Sequence, residues 1–399
     1  MNNKSIVTGY LLLLAIILAG CRQPISQPIS NMINWNKLPD LPGMANTTSL
    51  GVSAPFAGIS NGILLVAGGC NFPDKPVTEG GEKRYYSDIF ALDLSAVSNG
   101  WKKAGNLPFP IAYGASVTTP YGVVCIGGNN SDGSSAEVFQ LTWNEDTGKA
   151  DIIQYESLPE PMDNLSACFI DHTIYVAGGN CDQHPSRTFL SKEITKAGWN
   201  RLPDFPRPAR VQPVLAAQQS KDGIRIYLTG GFQPIQGDTE AIIPTDMLSF
   251  DPTTKSWKTE TELPLFEDGA HCSFTGGCAV AYGDSTILLM GGVNYDRFLA
   301  AVNRPKLLEA AEAKGDKAQV DSLQAEAKAY MHHPVEWYKF NTALLQYNTF
   351  TGEWKELGNY EQLARAGAAA VLEGDHLIII NGELKPGIRT PQVNCAQIK

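Results

Sequence analysis

Apolar residues in this chain fall into short runs closed by glycine or asparagine, not into long stripes of helical period. Gly62-Ile63-Leu64-Leu65-Val66-Ala67, Ile174-Tyr175-Val176-Ala177 and Leu377-Ile378-Ile379-Ile380 are short, rich in β-branched side chains and followed by turn residues, the pattern of buried strands. Two stretches depart from it. Lys4 precedes an uninterrupted apolar run, Leu11 to Ala19, too short to span a bilayer as a stable helix, which reads as an export signal. From Phe298 to Tyr330 the period becomes helical: Pro305 is expected at a start position, Leu307, Leu308 and Ala311 on one stripe, Gly315 at a break, and Val320, Leu323, Ala327 and Tyr330 on a second stripe. That spacing predicts a helical hairpin inserted over residues 298–338. It is either a solvated decoration or a pocket wall.

The strand runs recur as one unit: an apolar strand ending in a Gly doublet, a loop, a second apolar strand, and a Trp strand followed by Leu-Pro. The doublets are Gly68-Gly69, Gly127-Gly128, Gly178-Gly179, Gly230-Gly231 and Gly291-Gly292, with Asn381-Gly382 as a degenerate sixth. The first four intervals are near the ~50 residues of a kelch repeat, and the fifth is lengthened by the helical stretch. Trp35, Trp101, Trp199, Trp257 and Trp354 mark the outer strands, Tyr155 standing in for Trp in the second repeat. A lone four-stranded sheet cannot cover both faces, whereas sheets packed radially bury each face against a neighbour. The expected fold is therefore all-β, a six-bladed kelch-type β-propeller over residues 33–399, with the helical hairpin in the fifth blade. Glycines are expected to serve the crowded axis. The chain ends without a Trp strand after the sixth doublet, while the strand of Trp35 has no doublet before it, so the N-terminal strand should complete the last blade.

Composition narrows the partners. A formal net charge of −10 does not suit nucleic acid. Eight cysteines include Cys21; the rest are odd in number, form no CxxC pair, and leave at least one thiol free. The six histidines show no metal-ligand spacing, so no metal is expected. Leu18-Ala19-Gly20-Cys21 resembles the lipobox of bacterial lipoproteins, which implies a signal peptide over 1–20, acylation of Cys21 and a polar tether over 21–32. The expectation is an exported protein of the periplasm or cell envelope, touching the membrane only through its lipid.

The residues just after the doublets are Cys70, Asn129, Asn180, Phe232, Val293 and Glu383, and only the last is charged. Lys385 and Arg389 follow it within a short Pro386-Gly387 loop. A carboxylate beside a cation at a partly desolvated mouth suits a general base or a polyol site, or simply braces its loop.

Phe56-Ala57-Gly58-Ile59-Ser60-Asn61, Ala112-Tyr113-Gly114, Gly291-Gly292-Val293-Asn294 and above all Asn381 to Thr390 resemble the bacterial N-acetylneuraminate epimerases, kelch-propeller sialic-acid mutarotases. The resemblance covers nearly all of the chain after the leader but runs in rotated order, as in a cyclically permuted branch. It implies Glu383 as proton acceptor with Arg389 beside it, and substrate contacts at Arg210, Gln212, Asn294, Arg365, Lys385 and Tyr113, the Arg210-Val211-Gln212 and Phe340-Asn341 segments matching the family's motifs. Two positions depart: Ile111 stands where the family has Arg before Ala-Tyr-Gly, and Gly277-Cys278 where it has Gly-His. The implied reaction interconverts the α and β anomers of sialic acid by acid-base ring opening, with Glu383 as base and Arg389 and Arg210 on the sugar carboxylate. The rivals are a non-catalytic propeller that binds glycans or proteins, a sialidase, whose repeated Ser-x-Asp-x-Gly-x-x-Trp boxes are missing, and a copper oxidase, whose ligands do not repeat at blade spacing.

Overall fold

The structure is a computed structural model that describes residues 33–266 and 268–398. The expected signal peptide, Cys21 and the tether lie outside the described residues. Six four-stranded antiparallel sheets make up the frame. Sheet 1 runs from the inner strand Phe56–Ser60 through Ile63–Ala67 and Asp88–Asp93 to the outer strand Lys102–Asn106. Sheets 2 to 5 begin on the inner strands Ala115–Thr119, Ser166–Ile170, Val211–Ser220 and Cys278–Tyr282. Sheet 6 combines Ala369–Glu373, His376–Ile380 and Val393–Gln397 with an outer strand from the other end of the chain, Trp35–Leu38, in register Trp35↔Ala396 to Leu38↔Val393.

Neighbouring inner strands touch in a closed circuit, with Phe56–Ser60 also meeting Ala369–Glu373, so the sheets surround an axis in the arrangement of a β-propeller. An apolar cluster fills each junction. Ile59, Leu64 and Val66 of sheet 1 meet Val371, Ile378 and Ile380 of sheet 6, and Leu288 and Met290 of sheet 5 meet Leu377 and Ile379. At two junctions the outer Trp binds a Leu-Pro: Trp101 Nε1 donates to the Pro39 carbonyl and Trp257 Nε1 to the Pro203 carbonyl, each at 2.8 Å.

The doublet glycines answer to a constraint other than axial crowding. Gly69 takes φ +93°, and its N–H donates across the junction to the Ile111 carbonyl at 2.8 Å. Gly128, Gly179 and Gly292 make the same bond to Met162, Arg210 and Arg365. A Cβ on Gly68, at φ +66°, would sit 2.5 Å from the Ile111 oxygen. Left-handed backbone pressed against the next sheet is what excludes other residues. Asn381 replaces the first glycine of the sixth doublet at φ +55° and is fully buried, its Oδ1 accepting from the Val52 N–H at 3.1 Å.

At or just before the start of each inner strand stands one residue of positive φ: Ala54, Tyr113, Asn164, Gln212, Gly276 and Gly367. Their backbones close a ring around the axis. Each N–H donates to the carbonyl of the residue before it in this series, and Ala54 donates to Gly367, over 2.7–3.2 Å.

Three helices separate the second and third strands of sheet 5: α1 (Tyr295–Lys314), α2 (Lys317–Tyr330) and α3 (Val335–Tyr338). Gly315 ends α1 in the left-handed conformation. Pro305 lies inside α1, not at its start, because Asn294 caps the helix well upstream by accepting from the Arg297 N–H at 3.0 Å. The expected stripe is thin: Asn303 and Ala311 are the buried positions of α1, Leu307 is exposed, and α2 buries none. Polar bonds hold α1 instead, Asn303 exchanging two with the Ala241 backbone at 2.7 and 3.2 Å.

Candidate functional site

The strand pair Glu383–Lys385 and Ile388–Arg389 leaves sheet 6 as a small hairpin turning at Pro386-Gly387, and its register puts Glu383 directly opposite Arg389. Cross-strand partners face each other, so the ion pair is built into the register. Glu383 Oε1 lies 3.1 Å from Arg389 Nη1 and accepts from the Gly387 N–H at 2.9 Å. Two backbone bonds to Ala366, 2.7 and 3.0 Å, fix the carboxylate over the start of the inner strand. Burial raises the Glu383 pKa above the ordinary carboxylate range, and Arg389, the Gly387 N–H and Lys83 pull it back only in part. The Arg389 side chain is 3% exposed, its guanidinium 4.8 Å above the Phe72 ring. Its Nε and Nη1 make no hydrogen bond in the structure.

Glu383 opens into a cavity of about 340 Å³ above the axial ring. Tyr113, Asn164 and Gln212 of the ring line it, facing a glycine side at Gly367. Gln212 Nε2 donates to Asn164 Oδ1 at 3.0 Å. Tyr113 shares a hydrogen bond with Cys70, and burial first, then Cys70, pushes its phenol well above the usual value, so it keeps its proton at neutral pH. Lys83 Nζ sits 5.1 Å over the Tyr113 ring. Asn294, Arg297 and Phe298 bring the first turn of α1 to the wall, and Tyr330, Tyr338 and Phe340 supply an aromatic side.

Of the residues expected at the site, Glu383, Arg389, Tyr113, Gln212 and Asn294 come together at this cavity. The structure corrects the other three. Arg210 is fully buried and spent on Asp246 Oδ1 at 2.5 Å and the Gly230 carbonyl at 3.3 Å. Arg365 is 2% exposed and donates to the Asn381 and Gln392 carbonyls, Gln392 Oε1 and Asn394 Oδ1, which braces the backbone under Glu383. Lys385 Nζ is held by the carbonyls of His333 at 2.6 Å and Met331 at 3.3 Å, tying its hairpin to the segment after α2. Arg210 and Arg365 occupy the position of Ile111 and Met162, each accepting from the second glycine across a junction. The departure at Ile111 is thus a change inside the frame. Asn341 likewise braces, donating to the Gly291 carbonyl at 3.2 Å.

Sequence reading missed Arg297, Asn164, Tyr330 and Tyr338. The one available signal for Arg297 was its place three residues after Asn294, in the first turn of a capped helix. Among the described residues no group of three or more His, Cys, Asp or Glu is placed to hold a metal.

Comparison with known proteins agrees with this architecture. The solved structure of YjhT superposes with a TM-score of 0.57 over 89% of this chain and 95% of that one, at 16% identity. The N-acetylneuraminate epimerase of Haemophilus influenzae (strain PittEE) is 29% identical over 251 residues, 62% of this chain and 60% of the relative. That of Yersinia enterocolitica is 28% identical over 242 residues, 60% of this chain and 56% of the relative. The chain thus spans under two thirds of the length of the curated relatives it matches. The family model for N-acetylneuraminate epimerase matches residues 24–149 and 155–399, nearly the entire chain, and the chain belongs to that family.

Proposed function

We propose that this protein is a mutarotase that interconverts the α and β anomers of N-acetylneuraminate, working on a six-bladed kelch propeller over residues 33–399 whose fifth blade carries the helical insertion as a wall of the site. The observation that carries the reading is Glu383: a carboxylate raised by burial yet held beside a guanidinium, opening into a sugar-sized cavity. Glu383 takes the proton of the anomeric hydroxyl. The bond from the anomeric carbon to the ring oxygen then breaks, its electron pair stays on that oxygen, and a donor supplies the proton; Tyr113, which keeps its own, is the lining group suited to this. The open chain turns about the bond to the former anomeric centre, recloses on the other face, and both protons return. Each transfer contributes roughly 10²–10⁴-fold. No step calls for a cofactor. Arg389 keeps a useful fraction of Glu383 ionised.

The same proposal takes the chain as a cyclically permuted member of its family, exported and anchored at Cys21 to the cell envelope by lipid. The test of function is direct. Freshly released α-N-acetylneuraminate is followed by NMR of its anomeric-region signals with and without protein; faster equilibration is expected, and a rate equal to buffer leaves a non-catalytic glycan-binding propeller. Replacing Cys21 by Ala should release the protein from membranes at unchanged activity, and retention would refute the anchor.

A further inference from the structure

We propose that Arg297, on the first turn of α1, is the residue that grips the carboxylate of the substrate, which makes the helical insertion the specificity element of the site; this rests on the reading of a sugar acid as substrate. Arg297 and Glu383 are the cation and the anion among the residues lining the cavity. The guanidinium of Arg297 lies 4.2 Å over the Trp337 ring. His333 stacks on Trp337 at 3.9 Å and 7°. Arg297 and His333 both lie against the Trp337 ring, and these contacts restrict the guanidinium before any ligand arrives. A cation–ring contact leaves the N–H groups of the fork able to make two parallel bonds to a carboxylate. Among the described residues that edge has no ion pair or side-chain hydrogen bond of its own.

The arginines expected at the site from the sequence do not line the cavity. Arg210 and Arg365 are bonded into the frame, and Arg389 is 3% exposed against Glu383. With Glu383 and Arg389 cancelling, Arg297 leaves the cavity net positive, and the N-terminus of the 20-residue α1 adds to the same sign. A carboxylate on the anomeric carbon, held there, presents the adjacent hydroxyl to a base within the same cavity.

The experiment compares N-acetylneuraminate with its methyl ester, which keeps the sugar and loses the charge, by calorimetric binding and by mutarotation rate, for wild type, Arg297→Gln and Arg297→Lys. Wild type should prefer the acid, and Arg297→Gln should weaken the acid by roughly 10- to 100-fold while changing the ester by less than about threefold. Arg297→Lys should recover part of the loss, and it serves as the test if Arg297→Gln does not fold. Equal losses for acid and ester, or none for the acid, overturn the assignment while leaving the mutarotase reading intact. Acid-selective binding that depends on Arg297 without faster mutarotation overturns the reaction and keeps the assignment. Binding of neither ligand by wild type overturns both.

Discussion

Two buried arginines each stand beside a carboxylate, and the pairs have opposite uses. Arg210 lies behind a sheet junction, bonded to Asp246 and to the Gly230 carbonyl, and does not line the cavity that Glu383 opens into. Arg389 sits across a two-strand turn from Glu383, and that carboxylate opens into a cavity. The accompanying carboxylates are similarly exposed, 23% and 24%, so exposure does not separate frame from chemistry. What separates them is whether the carboxylate opens into the cavity. A pair enclosed in the frame holds the frame, and one whose carboxylate opens into a cavity can exchange a proton with what enters there.

The strongest break of this comparison is Glu383→Gln. It keeps the shape and the Gly387 bond but cannot take a proton, so mutarotation should fall by about 10² to 10⁴ with an unchanged melting curve. Wild-type speed in this variant would reduce Glu383 to a loop brace. Asp246→Asn should do the reverse. It strands a buried cation, lowering stability by about 3 kcal/mol in chemical denaturation while leaving kcat/KM within a few-fold; a selective loss of turnover would place Arg210 back in the chemistry.

The pH dependence sharpens the contrast. Because burial raises Glu383, its acid limb should lie above the ordinary carboxylate range, activity being lost as pH falls through it. Arg389→Gln removes the cation that opposes the shift and should move that limb to higher pH. The linked stability runs in the other sense: the native state holds the proton more tightly than the unfolded chain, so this contribution is full below the ordinary carboxylate pKa and is lost as pH rises through the raised one. An acid limb that Arg389→Gln leaves in place would mean another group sets it. The smallest effect is expected on the glycine side of the axial ring. Gly367→Ala has φ +60° against it and a Cβ 2.5 Å from Ser53 Oγ, a cost of about 1–2 kcal/mol to read from the melting midpoint.

Much of the frame was legible because a repeated physical demand leaves a repeated letter. Gly68-Gly69 and its counterparts recur since the junctions share the same left-handed bend, and Trp101, Trp199 and Trp257 share an indole-to-carbonyl bond. Glu383 stood out for the complementary reason, as the charged residue at a position otherwise held by neutral ones. The sequence pattern misled at Arg210 and Arg365, where an arginine reads as a ligand grip but fills a slot that Ile111 fills elsewhere. It was silent on Tyr113, Asn164 and Gln212 as one set, because residues of positive φ are here Ala, Tyr, Asn, Gln and Gly, with no common side chain to align. Arg297 was hidden by the start of α1, which the Asn294 cap sets ahead of the first apolar stripe.

The axial ring has a consequence for how such a site changes over generations. Its six backbone bonds run head to tail in a circle, so no main-chain N–H of the loop is left over to donate to a ligand. The donors that a ligand meets on that floor come from side chains, here a word of Ala, Tyr, Asn, Gln, Gly and Gly. Rewriting one letter would alter what is recognised without loosening the hoop that carries it, which lets one scaffold drift between ligands by single substitutions.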